Sequence, residues 1–174
     1  YANNAWTQLG SDINGEGAGD RCGSSVSLND AGDIVAIGAM FNDGAGHKAG
    51  HVRVFQYSNN SWTQLGSDIN GESAGDELGH SVSLNDDGTI VAVGAIDDDG
   101  NGADSGHVRV YQYANNTWTK LGSNIDGEAA NDLSGWAVSL SSDGTIVAIG
   151  ARDNDGGGNA SGHVRVYQYA NNVW

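Results

Sequence analysis

Along this 174-residue chain, short runs of alternating apolar and polar residues return at a fixed interval. In HVRVYQY (107–113), Val108, Val110 and Gln112 alternate with His107, Arg109, Tyr111 and Tyr113. A period of two carried by β-branched and aromatic residues predicts a strand. HSVSLN (80–85) sets Val82 and Leu84 against Ser81 and Ser83, and TIVAVGA (89–95) is a brief apolar run. SWTQLGSDI (61–69) opens on an aromatic and stays mixed. Together these predict four strands of about 5–7 residues in each unit. NDDG (85–88) and SSDG (141–144) place Gly where a tight hairpin needs a positive φ, and the Asn pair before each Trp suits a second turn. DDDGNGADSG (97–106) is a longer loop between the second and third strands. No segment carries the helical period, and the expected class is all-β.

The interval is 56 residues, without insertion or deletion. Trp6, Trp62, Trp118 and Trp174 fall in register, as do His51, His107 and His163. The chain then divides into the end of a preceding repeat (1–5), repeat 1 (6–61), repeat 2 (62–117), repeat 3 (118–173) and the first residue of a next repeat (174). Large side chains on both faces of HVRVYQY predict sheets covered on both sides. The small residues Ala92, Gly94 and Ala95 mark the second strand as the place where sheets crowd together near an axis. Three tandem four-stranded antiparallel sheets packed face to face describe β-propeller-like blades. A β-trefoil or a solenoid is the alternative. Propellers close with about four to eight blades, so three leave two broad apolar faces uncovered. The unit is therefore expected to be incomplete as a monomer. It would belong to a longer array, or complete itself head to tail with another chain as a ring or a filament.

Charge narrows the partners. The chain holds 22 Asp+Glu against 7 Lys+Arg, a formal net charge of −15. Such a surface repels nucleic-acid phosphate and anionic lipid. No apolar run approaches the roughly 18 residues of a helical membrane span, so neither nucleic acid nor membrane insertion is expected. The single cysteine, Cys22, excludes an intrachain disulfide, and its repeat equivalents are Leu78 and Ser134.

The elements GHSVSLNDDGTIVAVGA (79–95) and SGHVRVYQY (105–113) carry a resemblance. A Gly opens the first strand; a Ser-Val-Ser alternation, an Asp-Gly turn, a Val-Ala-x-Gly-Ala run and a later Gly-x-Val-x-Val-Tyr strand follow. In these the chain resembles FG-GAP repeats, the blade units of integrin-α-like propellers, as found in secreted multi-repeat proteins. The resemblance covers all three units and implies an extracellular or cell-surface location. It departs in three places, the first being that Cys22, Leu78 and Ser134 stand where the family has an aromatic before the first-strand Gly. Met40, Ile96 and Arg152 stand where the family has the proline of its name. The family's calcium turn has shrunk to NDAGD (29–33), NDDGT (85–89) and SSDGT (141–145), too few carboxylates for the six to eight oxygens calcium prefers.

The longer loop is the better metal candidate. Asp97, Asp99, Asn101 and Asp104 have spacing that could converge oxygens on one calcium ion, and Asp153 and Asp155 are their counterparts in the third unit. A solvated loop of Asx turns is the competing reading; calcium is the one cofactor considered. Trp6, Trp62 and Trp118, His51, His107 and His163, and Arg53, Arg109 and Arg165 are expected to be structural positions of the repeat. The arginines are expected to pair with a repeated acid, either Asp20, Asp76 and Asp132 or Glu16, Glu72 and Glu128. Asn59, Asn115 and Asn159 head N-x-S/T sequons. No nucleophile–base set breaks the repeat, so no catalysis is expected. The expected function is a non-enzymatic extracellular structural or adhesive repeat protein, whose partners are itself or further repeats. The alternative is a propeller module that binds glycans or surface proteins, with calcium as an aid.

Overall fold

The computed structural model describes residues 4–174, and the preceding-repeat segment 1–5 falls mostly outside them. Thirteen strands and no helix make up the described residues. The first sheet is an antiparallel meander of β1 (Ser25–Leu28), β2 (Ile34–Ala39), β3 (His51–Ser58) and β4 (Ser61–Gln64), with β5 (Ile69–Asn70) paired to the other half of β3. The second repeats it with β6 (Leu78–Leu84), β7 (Ile90–Ala95), β8 (His107–Ala114), β9 (Thr117–Lys120) and β10 (Ile125–Asp126). The third holds β11 (Ser134–Leu140), β12 (Ile146–Ala151) and β13 (His163–Gln168). These are propeller-type blades in a row, and they do not close on themselves.

SWTQLGSDI forms two short strands rather than one. Leu65 N still donates to Val54 O of β3 at 2.8 Å, Gly66 to Asp68 then leave the strand pairing, and the Gln64 side chain donates to Asp68 at 2.7 Å across the gap. The boundary at 61/62 falls inside β4, so each Trp-led repeat gives its first strand to the blade before it.

Turn chemistry sets the register. Asn59 and Asn60 both have positive φ (49° and 62°), as do Asn115 and Asn116 (50° and 63°). This is the paired left-handed geometry of a two-residue hairpin turn, in which Asn is tolerated. At the other hairpin the Asn85 side-chain oxygen accepts from Ile90 N at 2.8 Å, and Gly88 closes the turn at φ 73°.

Burial follows position in the row. Five consecutive residues of β3, His51 to Phe55, are buried, because Val52 and Val54 meet the next blade while His51 and Arg53 on the other face meet Glu16 and Asn14. The core between blades 1 and 2 joins Ile34, Ala36, Val52 and Val54 to Val82, Leu84, Val91 and Val93. A second core does the same between blades 2 and 3, with Val108, Val110, Val147 and Ile149. The small residues of the second strand mark a blade-to-blade contact, although strand order puts β1, β6 and β11 at the sheet edge. A Cβ on Gly38 would lie 2.1 Å from the Gly79 carbonyl oxygen of the next blade, and one on Gly94 would lie 2.1 Å from that of Gly135.

Candidate functional site

The recurring polar side chains are engaged within the fold. Trp62, Trp118 and Trp174 each donate Nε1 to a main-chain carbonyl 53 residues earlier, of Leu9, Leu65 and Leu121, at 2.8 Å in every case. Each also tilts against Tyr57, Tyr113 or Tyr169, with ring centroids about 5 Å apart. Trp6 is exposed. The arginines meet the glutamates of the repeat: Arg53 lies 3.5 Å from Glu16, Arg109 3.3 Å from Glu72, and Arg165 3.5 Å from Glu128. Arg53 and Arg165 also donate to the carbonyls of Asn14 and Asp126 at 2.7 Å. Asp20, Asp76 and Asp132 are buried turn residues instead. Asp76 accepts from the main-chain N–H of Glu72 and Ser73, while Asn42 and Asn154 donate to Asp20 and Asp132 at 2.9 Å.

The three histidines sit in three separate blades, each Nδ1 facing a carboxylate. Glu16 is 3.9 Å from His51, Asp98 is 2.9 Å from His107, and Glu128 is 3.8 Å from His163. Asp98 occupies the position of Asn42 and Asn154, where a second acid would oppose Asp76, and it turns to His107 instead. Burial pushes the Asp98 carboxyl up, but His107 and the Gly100 N–H outweigh it and leave the group below its usual range. His51 and His80 are both held below 6.5, chiefly by burial. Their neutral forms favour the fold, so their contribution is present above about 6.5 and is lost as pH falls through the depressed values. His80, whose ring tilts against Trp136 with centroids 4.6 Å apart, stands where repeat 1 has Ser24. His80→Ser is therefore expected to flatten part of the fall in melting temperature between about pH 7 and pH 5, as read by calorimetry across pH.

Glu16, His51 and Asp68 bring three ligand atoms within 4.8 Å of one another, a grouping found among the described residues and not anticipated from sequence. The Arg53 guanidinium beside Glu16 already supplies positive charge there. Several acidic-loop residues are engaged by neighbouring groups. Asp99 accepts from Asp104 N at 3.0 Å, and Asp155 accepts from Ala160 N at 2.7 Å. Asn101 donates to the carbonyls of Gly127 and Glu128, and Asp153 accepts a fork from Arg152 at 2.8 and 3.1 Å. Asp97 is pushed up by burial and by the charges of Asp104 and Asp99. Glu77, which sequence spacing did not flag, is pushed up by burial and by Asp97. Asn59 and Asn115 sit at exposed hairpin tips, and Asn159 lies in an exposed loop.

Apolar side chains are exposed at the two ends of the row. Val26 and Leu28 on β1 are 64% and 59% exposed, and Val164 and Val166 on β13 are 68% and 65% exposed. Their repeat equivalents inside the row, Val82, Leu84, Val108 and Val110, are buried. β13 alternates residue by residue where β3 and β8 begin with unbroken buried runs. An open cavity of about 350 Å³ on the outer face of the third blade is lined by Trp136, Gly150, Arg152, Gly162 and Val164, among others.

Solved structures resemble this chain in fold. A Bacteroides uniformis protein assigned as a 6-phosphogluconolactonase matches with TM-score 0.56 and 13% identity, over 84% of this chain and 37% of its own. Kuenenia stuttgartiensis hydrazine synthase matches at 0.53 and 12%, over 83% and 33%. Saccharomyces cerevisiae Sqt1 matches at 0.53 and 14%, over 87% and 33%. The chain thus spans about a third of the length of these chains, and identities this low speak for the fold alone. No curated protein matches it in sequence. The family model of the FG-GAP repeat matches residues 70–111, from β5 through the Gly-opened β6 and the Val-Ala-x-Gly-Ala strand to the middle of β8. Residues 70–111 thus match the FG-GAP repeat, within a row of propeller-type blades.

Proposed function

We propose that this chain is a non-enzymatic structural and adhesive repeat module of the extracellular space or cell surface. Its blades stand in a row with further repeats of the same kind, as a ring or a filament. The observation that supports this reading is the exposure, at both ends of the row, of apolar positions whose counterparts are buried between blades. Isolated scattered apolar residues would need no explanation, but paired valines and leucines on whole sheet faces do. The recurring Trp and Arg residues tie each blade to the segment before it and the recurring Asp residues fix turns, which favours building material over a reaction centre. Sequons at exposed hairpin tips and the FG-GAP repeat favour the extracellular setting. Electron microscopy of the purified chain tests the reading. Rings or filaments are expected, and dispersed three-blade particles at every concentration would count against it.

A second reading, a glycan- or protein-binding module aided by calcium, is favoured by the acids at the first junction. Glu77 and Asp97 are both held above their usual carboxyl range, and a bound cation would relieve that. On this reading millimolar Ca²⁺ raises the melting temperature relative to EDTA. Equal values, with a flat glycan-array profile, would remove it.

A further inference from the structure

We propose that Glu16, His51 and Asp68 form a binding site for a divalent transition cation of the zinc type, one that the second blade does not repeat. The three side chains come from the loop before β1, the first residue of β3 and the connection between β4 and β5. The site is independent of the structural reading above.

One ligand atom from each residue lies within 4.8 Å of the other two. An imidazole nitrogen and two carboxylate oxygens, with water in the fourth place, make a tetrahedral zinc donor set. With metal–ligand bonds of about 2.0–2.1 Å, such donor atoms stand about 3.4 Å apart. His51 Nδ1 and Glu16 Oε2 are 3.9 Å apart, too long for a hydrogen bond, and the Glu16 side chain is 48% exposed and free to close the difference. His51 itself is 1% exposed, yet no hydrogen bond reaches its ring among the described residues. A buried imidazole without a partner, flanked by two carboxylates, is a ligand set rather than a solvated acidic patch.

Each carboxylate has one oxygen held by the protein. Asp68 Oδ1 accepts from Gln64 Nε2 at 2.7 Å, which leaves Oδ2 for the cation. Glu16 Oε1 faces the Arg53 guanidinium at 3.5 Å, while Oε2 faces His51. Partners of this kind orient ligating side chains. Arg53 does not balance the charge. Among the groups that act on His51, the carboxylates of Glu16, Asp68 and Asp20 outnumber that one guanidinium by two, the charge of the ion proposed. Burial holds the His51 ring below 6.5, so at pH 7 it has the neutral form that ligates a metal.

The second blade closes the same place by other means. His107 and Glu72 stand at the positions of His51 and Glu16, but Asp98 replaces Asn42, Lys120 replaces Gln64 and Asn124 replaces Asp68. Asp98 reaches His107 Nδ1 at 2.9 Å, whereas Asn42 turns away to donate to Asp20. Lys120 Nζ donates to Asn124 Oδ1 at 2.9 Å, so an ammonium stands where the first blade has an amide. The histidine gains its own acid, and the second carboxylate is gone.

Calorimetric titration of the folded chain with ZnCl2 at pH 7 tests this. One ion per chain is expected, with a melting temperature that rises on adding ZnCl2. Equimolar CaCl2 is expected not to displace it, since calcium takes oxygen ligands. Asp68→Asn, which copies position 124, and Glu16→Gln are each expected to weaken Zn²⁺ binding about tenfold or more while the metal-free chain stays folded. Cys22→Ser, which copies position 134, is expected to leave binding unchanged. The triple variant Asp98→Asn, Lys120→Gln, Asn124→Asp is expected to take up a second ion. Absence of Zn²⁺ binding overturns the proposal. Binding that survives both Asp68→Asn and Glu16→Gln, or is lost in Cys22→Ser, overturns the ligand set. Displacement by equimolar calcium overturns the nitrogen ligand. A folded triple variant that still holds one ion overturns the account of the second blade.

Discussion

Gly94→Ala is expected to destabilise the chain by about 3 kcal/mol or more, which for a domain of this size lowers the melting temperature by about 10 °C. The added methyl carbon would sit 2.1 Å from the Gly135 carbonyl oxygen and 2.5 Å from Ser81 Oγ. The carbonyl belongs to the main chain of the next blade, so relief requires the two sheets to separate, and the core of Val108, Val110, Val147 and Ile149 opens with them. The same substitution at Gly150 meets nothing closer than 3.8 Å, and its effect on the stability of the isolated chain should stay within about 0.5 kcal/mol. Paired thermal melts of the two variants, at a concentration where the chain is monomeric, decide the matter. Equal losses would show that the contact between blades is not what makes position 94 demanding.

Charge removal should be lopsided at the junction of blades 1 and 2. Arg109 is 1% exposed and its ion pair with Glu72 closes at 3.3 Å, while the glutamate itself is largely in solvent. Glu72→Gln strands a buried guanidinium and is expected to cost about 2 kcal/mol, below the range for fully buried pairs because water screens the glutamate side. Arg109→Met removes the buried charge together with its desolvation cost and should fall within about 1 kcal/mol of the parent. In the last blade Arg165 is partly exposed and 3.5 Å from Glu128, so Glu128→Gln should cost visibly less than Glu72→Gln. Urea melts of the three variants give the order, and a costlier Arg109→Met would reverse the account.

The strands and turns were readable because each rests on local chemistry. The Val-x-Val alternation fixes β8, and the Asn pairs fix two turns whose positive φ values few other residues tolerate. The 56-residue period supplied the blade count for the same reason. The split of SWTQLGSDI was not readable, since it depends on the Gln64–Asp68 hydrogen bond and on where β3 runs. Nor did spacing reveal that the alternate oxygens of the acidic loop point to different neighbours. Asn101 reaches the carbonyls of Gly127 and Glu128, and Asp99 folds back on its own loop. Sequence alone does not choose Glu16, Glu72 and Glu128 over Asp20, Asp76 and Asp132 as arginine partners, for a similar cause. Both sets repeat with the same period, and only the turn geometry that buries the aspartates separates them.

The indole N–H groups of Trp62, Trp118 and Trp174 each grip a carbonyl 53 residues upstream, and that separation is the same in all three. Excising or duplicating one whole period would hand every such grip an identical replacement, whereas a gain or loss of any other length would leave a tryptophan facing the wrong group. Sequences built this way can grow or shrink only in full steps, and their evolutionary drift in size should be quantised accordingly.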